Sequence, residues 1–318
     1  MTATIDAAPL LPAPGTSPSR HRPGGSDLAP RPGAWYAVPA ALFFGLFAVL
    51  PVVGVVVLSF TEWTGIGDPI FIGTDNWGRL ADDPRVIEAA GTTLLLIVFG
   101  WATQTPVAMA IGVWAAGRQR NRAVLSSVFF LPLLLSTAAV ALMWNRFLDP
   151  NFGLAADVGP LIGYPDGGIV GDRHGALGAV VFVAMWQWVP FHSLLYQAAA
   201  RNVPQVLYDA AVIDGASRWQ QFRRVTLPQL RHTVVTSSVI MVVGSLTTFE
   251  TILLLTNGGP GTSTYVLSFL MYRSGFFSFE FGYAAAIAAT LLVVGTAVSL
   301  IIVRFSGFAG MRSTLEGL

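Results

Sequence analysis

The sequence predicts an all-α membrane protein with six transmembrane helices. Of its 318 residues, 53% are hydrophobic and only 11% are charged, whereas soluble domains carry about 25% charged residues. Such a chain cannot bury all its apolar side chains in one globular core, so lipid must cover much of its surface. Six stretches approach or exceed the roughly 20 apolar residues that cross about 30 Å of hydrocarbon. They cover residues 34–60, 92–116, 123–147, 175–200, 233–256 and 282–305.

The segments outside these stretches divide the chain further. Residues 1–33 are rich in Pro, Ala, Gly and Ser, a composition that predicts a disordered tail. The first transmembrane helix follows over residues 34–60, and residues 61–91 are expected to form a loop. Residues 92–305 then form a core with five transmembrane helices, and residues 306–318 form a second tail.

The distribution of arginines predicts the orientation of the chain. With the amino terminus inside, thirteen of the eighteen arginines lie in cytoplasmic segments and five lie outside, as the positive-inside rule requires. Both tails are therefore expected in the cytoplasm, and the 61–91 loop is expected on the extracytoplasmic side.

Two residue types are absent, and each absence excludes a class of site. Without cysteine, the chain has no disulfide, thiolate nucleophile or cysteine metal site. Without lysine, it cannot carry a phosphate-binding loop of the G-x-x-x-x-G-K-[ST] type. The four histidines show no metal-binding spacing, so we expect neither a metal site nor a cofactor in this chain. The net charge of +1 gives no indication of nucleic-acid binding, and none is expected.

Residues 201–231, between the fourth and fifth predicted spans, predict a bent pair of short cytoplasmic helices. Pro204 suits the first turn of a helix, and Gly215 permits a sharp bend after it. Ser217 and Gln220 then fit a capping box that starts the second helix. The unit is too small to form a core of its own.

Trp219 and Phe222 lie on the second helix of this loop and give it an aromatic face. A solvated connection between two spans does not explain two aromatic side chains near a bend. We therefore expect both to pack against a partner protein.

The same loop resembles the EAA motif of binding-protein-dependent ABC importer permeases. The matching residues are Asp209-Ala210-Ala211, Asp214-Gly215-Ala216, Phe222, Val225, Leu227 and Pro228. The family usually has Glu at the first position, and Asp209 keeps the carboxylate on a shorter side chain. The resemblance implies an ABC importer type I permease fold and a loop that docks on a separate ATPase subunit. The residues expected to couple to that ATPase are Asp209, Ala210, Ala211, Asp214, Gly215, Ala216, Trp219, Phe222, Leu227 and Pro228.

Two further blocks resemble the maltose-type large permeases of carbohydrate importers. One runs over residues 58–63, 71–73 and 76–77, and the other over residues 255–260 and 282–286. This resemblance implies import of a sugar or oligosaccharide across the bacterial plasma membrane. It also implies four kinds of partner: a second homologous permease subunit, two ATPase subunits that bind the ATP, an extracytoplasmic solute-binding protein and the sugar itself. The chain would then be a transport subunit and not an enzyme.

Aromatic and polar residues inside the predicted spans are candidates for the substrate path. They are Trp186, Gln187, Trp188 and His192 in the fourth span, Glu250 in the fifth, and Asn257 just after it. Aromatic side chains can stack on sugars, and an intramembrane carboxylate usually faces a cavity or a partner. The alternative is packing for the aromatic residues, a structural hydrogen bond for Glu250 and a tight turn for Asn257.

Two other functions remain open from the residues alone. A proton-coupled secondary transporter could use Glu250 as its proton site, although no internal repeat of the kind common in such folds is detectable. A membrane-embedded enzyme is the other alternative. It finds little support, since a Ser–Lys pair is impossible without lysine and no G-x-S-x-G motif is present.

Overall fold

The structure is a computed structural model, and it describes residues 34–117 and 128–305. Most of the described residues are helical, which confirms the all-α class. The chain divides into two compact units, Met1–Leu50 and Pro51–Leu318. The predicted tails 1–33 and 306–318 lie outside the described residues.

The first helix, α1, covers Trp35–Leu58 and is long and apolar enough to cross a membrane. Its first residues form a 3-10 turn, Ala34–Ala37, and it contains a π-helical segment, Gly45–Val49. Its bounds agree closely with the predicted span over residues 34–60, because an uninterrupted apolar run is the strongest sequence signal for a membrane helix.

The predicted loop over residues 61–91 contains regular structure. Strands β1 (Thr61–Glu62) and β2 (Ile70–Phe71) pair antiparallel, and a helix α2 (Asp75–Asp82) follows. Helix α3 (Pro84–Ala115) then begins about two turns before the predicted start of the second span. It begins there because the Asp83 side chain caps it by accepting from the backbone N–H of Arg85, and proline fits the first helical position.

The third predicted span, 123–147, is interrupted in its described part, and residues 123–127 lie outside the described residues. A 3-10 turn covers Leu131–Leu134, and α4 covers Thr137–Phe147. Leu135 and Ser136 between them are extended, and the Ser136 hydroxyl accepts from the N–H of Ala139 to start α4. A short α5 (Ala155–Val158) and a 3-10 turn (Gly159–Ile162) precede α6.

Helix α6 covers Arg173–Arg201, as the prediction over 175–200 expected. Helices α7 (Gln205–Ile213) and α8 (Arg218–Gln229) form the loop, and α9 (Arg231–Thr247) follows α8 with a bend of 67°. The predicted fifth span, 233–256, is interrupted at Thr248, and its second part is α10 (Glu250–Leu255). A further helix, α11 (Leu267–Phe276), precedes α12 (Phe281–Phe305).

Four helices in the described part of the chain are long and apolar enough to span a membrane: α1, α3, α6 and α12. The bent pair α8–α9 brings this number to five if it counts as one span. The predicted number of six therefore stays a prediction. The difference arises where spans three and five are broken into shorter helices.

Helices α3 and α6 have the most extensive helix–helix contact among the described residues. A Cβ at Gly112 of α3 would lie 2.6 Å from the backbone oxygen of Ser193 and 2.7 Å from the Cβ of Tyr196. Only glycine permits this approach. A buried cluster at this crossing contains Ala108, Tyr196 and Leu230, and it connects the pair to the beginning of α9.

Candidate coupling loop and translocation cavity

The bend between α7 and α8 is held by backbone hydrogen bonds that require Gly215. Its φ of +74° lies in the left-handed region, which side chains with a Cβ rarely adopt. The N–H of Gly215 donates to the oxygen of Val212 at 3.0 Å, and that of Ala216 donates to the oxygen of Ala211 at 2.8 Å. These two bonds form a Schellman motif, which ends α7 and reverses the chain.

The start of α8 is the capping box that the sequence predicts. The Gln220 backbone N–H donates to the Ser217 hydroxyl at 3.3 Å, and the Ser217 N–H donates to the Gln220 side chain at 2.8 Å. The Tyr208 and Thr226 hydroxyls are 2.9 Å apart and join α7 to α8 across the bend. The loop is therefore a locally hydrogen-bonded unit, with few free torsions at its turn.

The two aromatic residues of the loop lie in different environments. Trp219 is 67% exposed, whereas Phe222 is half-buried and packs against the cluster around Tyr196 and Leu230. The two rings stack with their centroids 5.5 Å apart. This differs from the expectation that both side chains face a partner, because the second turn of α8 lies over the α3–α6 crossing.

The other candidate coupling residues lie mostly on the open surface of the loop. Exposed positions are Asp209, Ala210, Asp214, Gly215, Leu227 and Pro228, and half-buried positions are Ala211 and Ala216. Large apolar side chains near them are also exposed, above all Ile213 at 85%. An exposed apolar surface of this kind is typical of a contact with another protein.

A cavity of about 510 Å³ lies at the far end of α9 from this loop. Helix α9 and the first residues of α10 line much of it, from Val239 to Thr251, and Gln104 of α3 and Thr137 of α4 complete it with α6. At 1.5 Å per residue, the cavity wall at Ser245 is roughly 20 Å along α9 from Arg231. One continuous helix therefore joins the loop to the cavity.

The structure divides the six candidates for the substrate path. Trp188, His192 and Glu250 line the cavity. Trp188 and His192 are four residues apart and so lie on one face of α6. The His192 ring is 3% exposed, and its Nδ1 is 2.9 Å from the Ser237 hydroxyl.

The other three candidates lie outside this cavity. Trp186 packs edge-on against Trp144, with their ring centroids 5.6 Å apart. Gln187 is buried, and its amide donates to the Leu135 oxygen at 3.2 Å, which holds the break before α4. Asn257 is an exposed turn residue with a φ of +50°. None of the three lines the cavity as the structure describes it.

Sequence comparison identifies the family to which this architecture belongs. The family model of the binding-protein-dependent transport system inner membrane component matches residues 108–307, which include the loop and most of the residues that line the cavity. The chain belongs to this family. It is a transport permease and not an enzyme, and it is a membrane protein, as expected.

Individual relatives support the same assignment over most of the chain. The permease is 31% identical to a probable ABC transporter permease protein of Pyrococcus horikoshii, over 83% of this chain and 92% of the relative. It is 32% identical to the multiple sugar-binding transport system permease protein MsmF of Streptococcus mutans, over 78% of this chain and 86% of the relative. These relatives decide against the secondary-transporter alternative.

A solved structure supports the fold. A chain from the crystal structure of a bacterial ABC transporter involved in import of the acidic polysaccharide alginate superposes on the permease with a TM-score of 0.73. The sequences are 26% identical, and the match covers 86% of this chain and 95% of that chain. The permease therefore has the fold of an ABC importer permease subunit.

A polar network of the permease joins α2, α3 and α12, and none of its members was among the candidate site residues. Arg79 donates to both Glu280 oxygens at 2.9 Å, and its guanidinium lies 4.0 Å from the centre of the Tyr283 ring. The Tyr283 hydroxyl donates to Asp83 at 2.8 Å. The available signal was the position of Asp83 and Glu280 immediately before helices, although the contacts of the network join residues about 200 positions apart.

The pKa of the Asp83 carboxyl group is lowered by its partners in this network. Hydrogen bonds from the Arg85 side chain, together with bonds from Tyr283 and the Arg85 backbone, lower its pKa to about 2, and they outweigh the opposing effect of burial. Glu280 raises the pKa of Arg79 through their paired hydrogen bonds. Both groups therefore stay charged at neutral pH and hold the beginning of α12 to the beginning of α3.

Proposed function

We propose that the chain is the sugar-translocating permease subunit of an ATP-driven importer, and that the saccharide passes through the cavity beside α9 and α10. The observation that carries this proposal is the continuity of the coupling loop, α9 and the cavity wall. The names of two relatives support a saccharide: one is the MsmF protein described above, and the other is the arabinooligosaccharides transport system permease protein of Bacillus subtilis.

The partners in this proposal are a second homologous permease, two ATPase subunits and an extracytoplasmic solute-binding protein. A second solved structure contains the alginate transporter with its pentasaccharide-bound periplasmic protein, which supports a binding-protein partner for this chain. The chain has no lysine for a phosphate-binding loop, so the ATP would bind to the ATPase subunits.

The location in the proposal is the bacterial plasma membrane, with both termini in the cytoplasm. The excess of arginines in the predicted cytoplasmic segments supports this orientation. The loop between α6 and α9 then faces the ATPase, and the network around Asp83 faces outward.

The loop would act as a rigid body that transmits force from the ATPase to the substrate path. The Schellman motif and the capping box keep the α7–α8 bend fixed, so movement of the docked loop moves the beginning of α9. The break at Thr248 separates α9 from α10, and a break of this kind allows the two cavity walls to move relative to each other. Alternate opening of the cavity to the two sides would then follow from rocking of α9.

The decisive experiment replaces Gly215 by valine, because a β-branched residue resists a φ of +74°. We expect Gly215→Val to insert into the membrane at the normal level but to lose the co-purifying ATPase and ATP-dependent sugar uptake. Gly67→Val is the matched control, since Gly67 has a φ of +75° and equally open surroundings in the hairpin between β1 and β2. Normal uptake in the Gly215 variant would refute the docking role of the loop.

A further inference from the structure

The cavity beside α9 carries negative charge and no counter-charge. Glu250 and His192 are the ionisable side chains among the described residues that line it, and no arginine is among them. Glu250 is exposed at the start of α10, so its carboxylate is accessible to a ligand. A ligand carboxylate in this cavity would therefore meet the Glu250 carboxylate, and no arginine of the described lining of this chain offsets it.

Two threonine hydroxyls and the Glu250 carboxylate present hydrogen-bond acceptors on the same wall. The Thr247 hydroxyl donates to the Val243 oxygen at 3.2 Å, and the Thr248 hydroxyl donates to the Gly244 oxygen at 2.7 Å. With their protons used inside α9, both hydroxyls offer a ligand only lone pairs. The Glu250 carboxylate is also an acceptor without a proton to donate. This wall suits ligands that are rich in O–H or N–H donors.

Trp188 supplies an apolar surface in the cavity. Its side chain is 42% exposed and lines the cavity together with Glu250 and the two threonines. An aromatic face beside acceptors can hold the C–H face of a sugar ring while the ring hydroxyls donate to the acceptors. The combination fits a saccharide that bears hydroxyl or ammonium groups and lacks carboxylates.

We propose that this cavity accepts neutral and amino-bearing saccharide units and rejects anionic ones, and that Glu250 is the residue that discriminates between them. This specificity rests on the proposed function and adds the charge class of the substrate. It separates the permease from the solved transporter of similar fold, whose substrate is the acidic polysaccharide alginate.

The expected size of the effect follows from Coulomb repulsion. Repulsion between two carboxylates roughly 6 Å apart, at an effective dielectric constant of about 20, weakens binding of an anionic ligand about 100-fold. Neutralising one of them should restore most of this factor. Higher ionic strength should also reduce the discrimination, because salt screens partly exposed charges.

The test measures binding of three trisaccharides to the complete transporter in lipid nanodiscs, without the solute-binding protein, so that only the membrane path selects. Maltotriose is the neutral probe, the deacetylated glucosamine trimer is the amino probe, and trigalacturonate is the anionic probe. We expect the wild type to bind maltotriose and the amino trimer, and to bind trigalacturonate at least about tenfold more weakly than maltotriose.

Glu250→Gln should raise the affinity for trigalacturonate relative to that for maltotriose by about 10- to 100-fold. Glu250→Asp should keep the discrimination, because the charge remains. Glu62→Gln is the matched control: it removes the same charge from strand β1, outside the cavity, and should change none of the affinities.

The outcomes separate this inference from the proposed function. Equal binding of neutral and anionic trisaccharides by the wild type, or an unchanged ratio in Glu250→Gln, overturns the charge filter and leaves the sugar permease intact. Failure of all three trisaccharides to bind the wild type overturns both. A shift of the ratio in the Glu62 variant as large as in the Glu250 variant would show a general charge effect and also overturn the filter.

Discussion

The proposed coupling loop and the proposed translocation cavity are built in opposite ways. The loop is one stretch of about thirty residues, 201–231, whose shape depends on hydrogen bonds between near neighbours such as Ser217 and Gln220. The cavity combines side chains from α3, α4, α6, α9 and α10, with Gln104 and Thr251 at its extremes in the sequence. The loop is therefore locally determined, and the cavity depends on how distant helices pack.

This difference suits the two tasks proposed for these regions. A segment that transmits force must keep its shape when it is displaced, and short-range backbone bonds around Gly215 achieve this. A path that opens and closes needs walls that can move relative to one another. Breaks in the helices, such as the one at Thr248, provide this mobility without unfolding either half.

The largest expected effect tests whether the cavity depends on the packing of α3 against α6. Gly112→Val would place side-chain atoms within 3 Å of Ser193 and Tyr196, so α3 and α6 would have to separate. We expect loss of folded protein, measured as a collapse of the monodisperse peak in size-exclusion chromatography in detergent. Gly91→Val, also in α3 but with open space around it, is the control and should fold normally. A folded Gly112 variant would contradict the close α3–α6 contact.

An intermediate effect tests the two faces of the loop. Trp219→Ala should weaken ATPase binding by about 2 kcal/mol, or about 30-fold, because an exposed aromatic residue at an interface centre is a typical hot spot. The melting temperature of this variant should stay unchanged.

Phe222→Ala is the counterpart: it should lower the melting temperature and leave ATPase binding unchanged. Its ring packs against the cluster of Tyr196 and Leu230, so its loss should lower the free energy of unfolding by about 1 to 2 kcal/mol. Thermal unfolding and capture of the ATPase, measured on both variants, distinguish the two roles. If Trp219→Ala lowers the melting temperature and Phe222→Ala does not, the assignment of the two faces is wrong.

The smallest effect concerns the Asp83 network, which holds the beginning of α12 to the beginning of α3. The folded-state pKa of Asp83 is lowered from 3.8 to about 2, so the carboxylate stabilises the fold above pH 3.8 and loses this contribution as the pH falls through 2. With allowance for the exposed Arg85 partner, the contribution is about 1 to 2 kcal/mol. Asp83→Asn should lower the melting temperature at pH 7, and its difference from the wild type should shrink towards pH 2.

Asp68→Asn is the control for this measurement, because Asp68 is an exposed residue between β1 and β2. It should leave the melting temperature unchanged over the same range of pH. A difference between Asp83→Asn and the wild type that is constant from pH 7 to pH 2 would contradict the ionic role of Asp83.

Sequence reasoning located the continuous helices α1, α6 and α12 to within a few residues, because their apolar runs are unbroken. It did not predict the breaks within the third and fifth predicted spans. The extended residues at Leu135–Ser136 and Thr248 lie inside apolar stretches, and hydropathy does not distinguish a broken helix from a continuous one. The number of six spans and the orientation of the termini stay predictions.

The candidate sites show the same division. Trp188, His192 and Glu250 were among the predicted path residues and line the cavity, whereas Trp186 and Gln187 contribute to packing. Adjacent residues on a helix point in different directions, and the sequence alone does not say which direction faces the path.

The sequence by itself determined the membrane class, the family and the bend of the coupling loop, because these depend on composition and on residues close together in the chain. Only the tertiary structure decided that Phe222 packs inward, that Glu250 and Trp188 share one cavity, and that Asp83 meets Tyr283. Those relations join residues from different helices. They follow from packing such as the contact at Gly112, which no local pattern records.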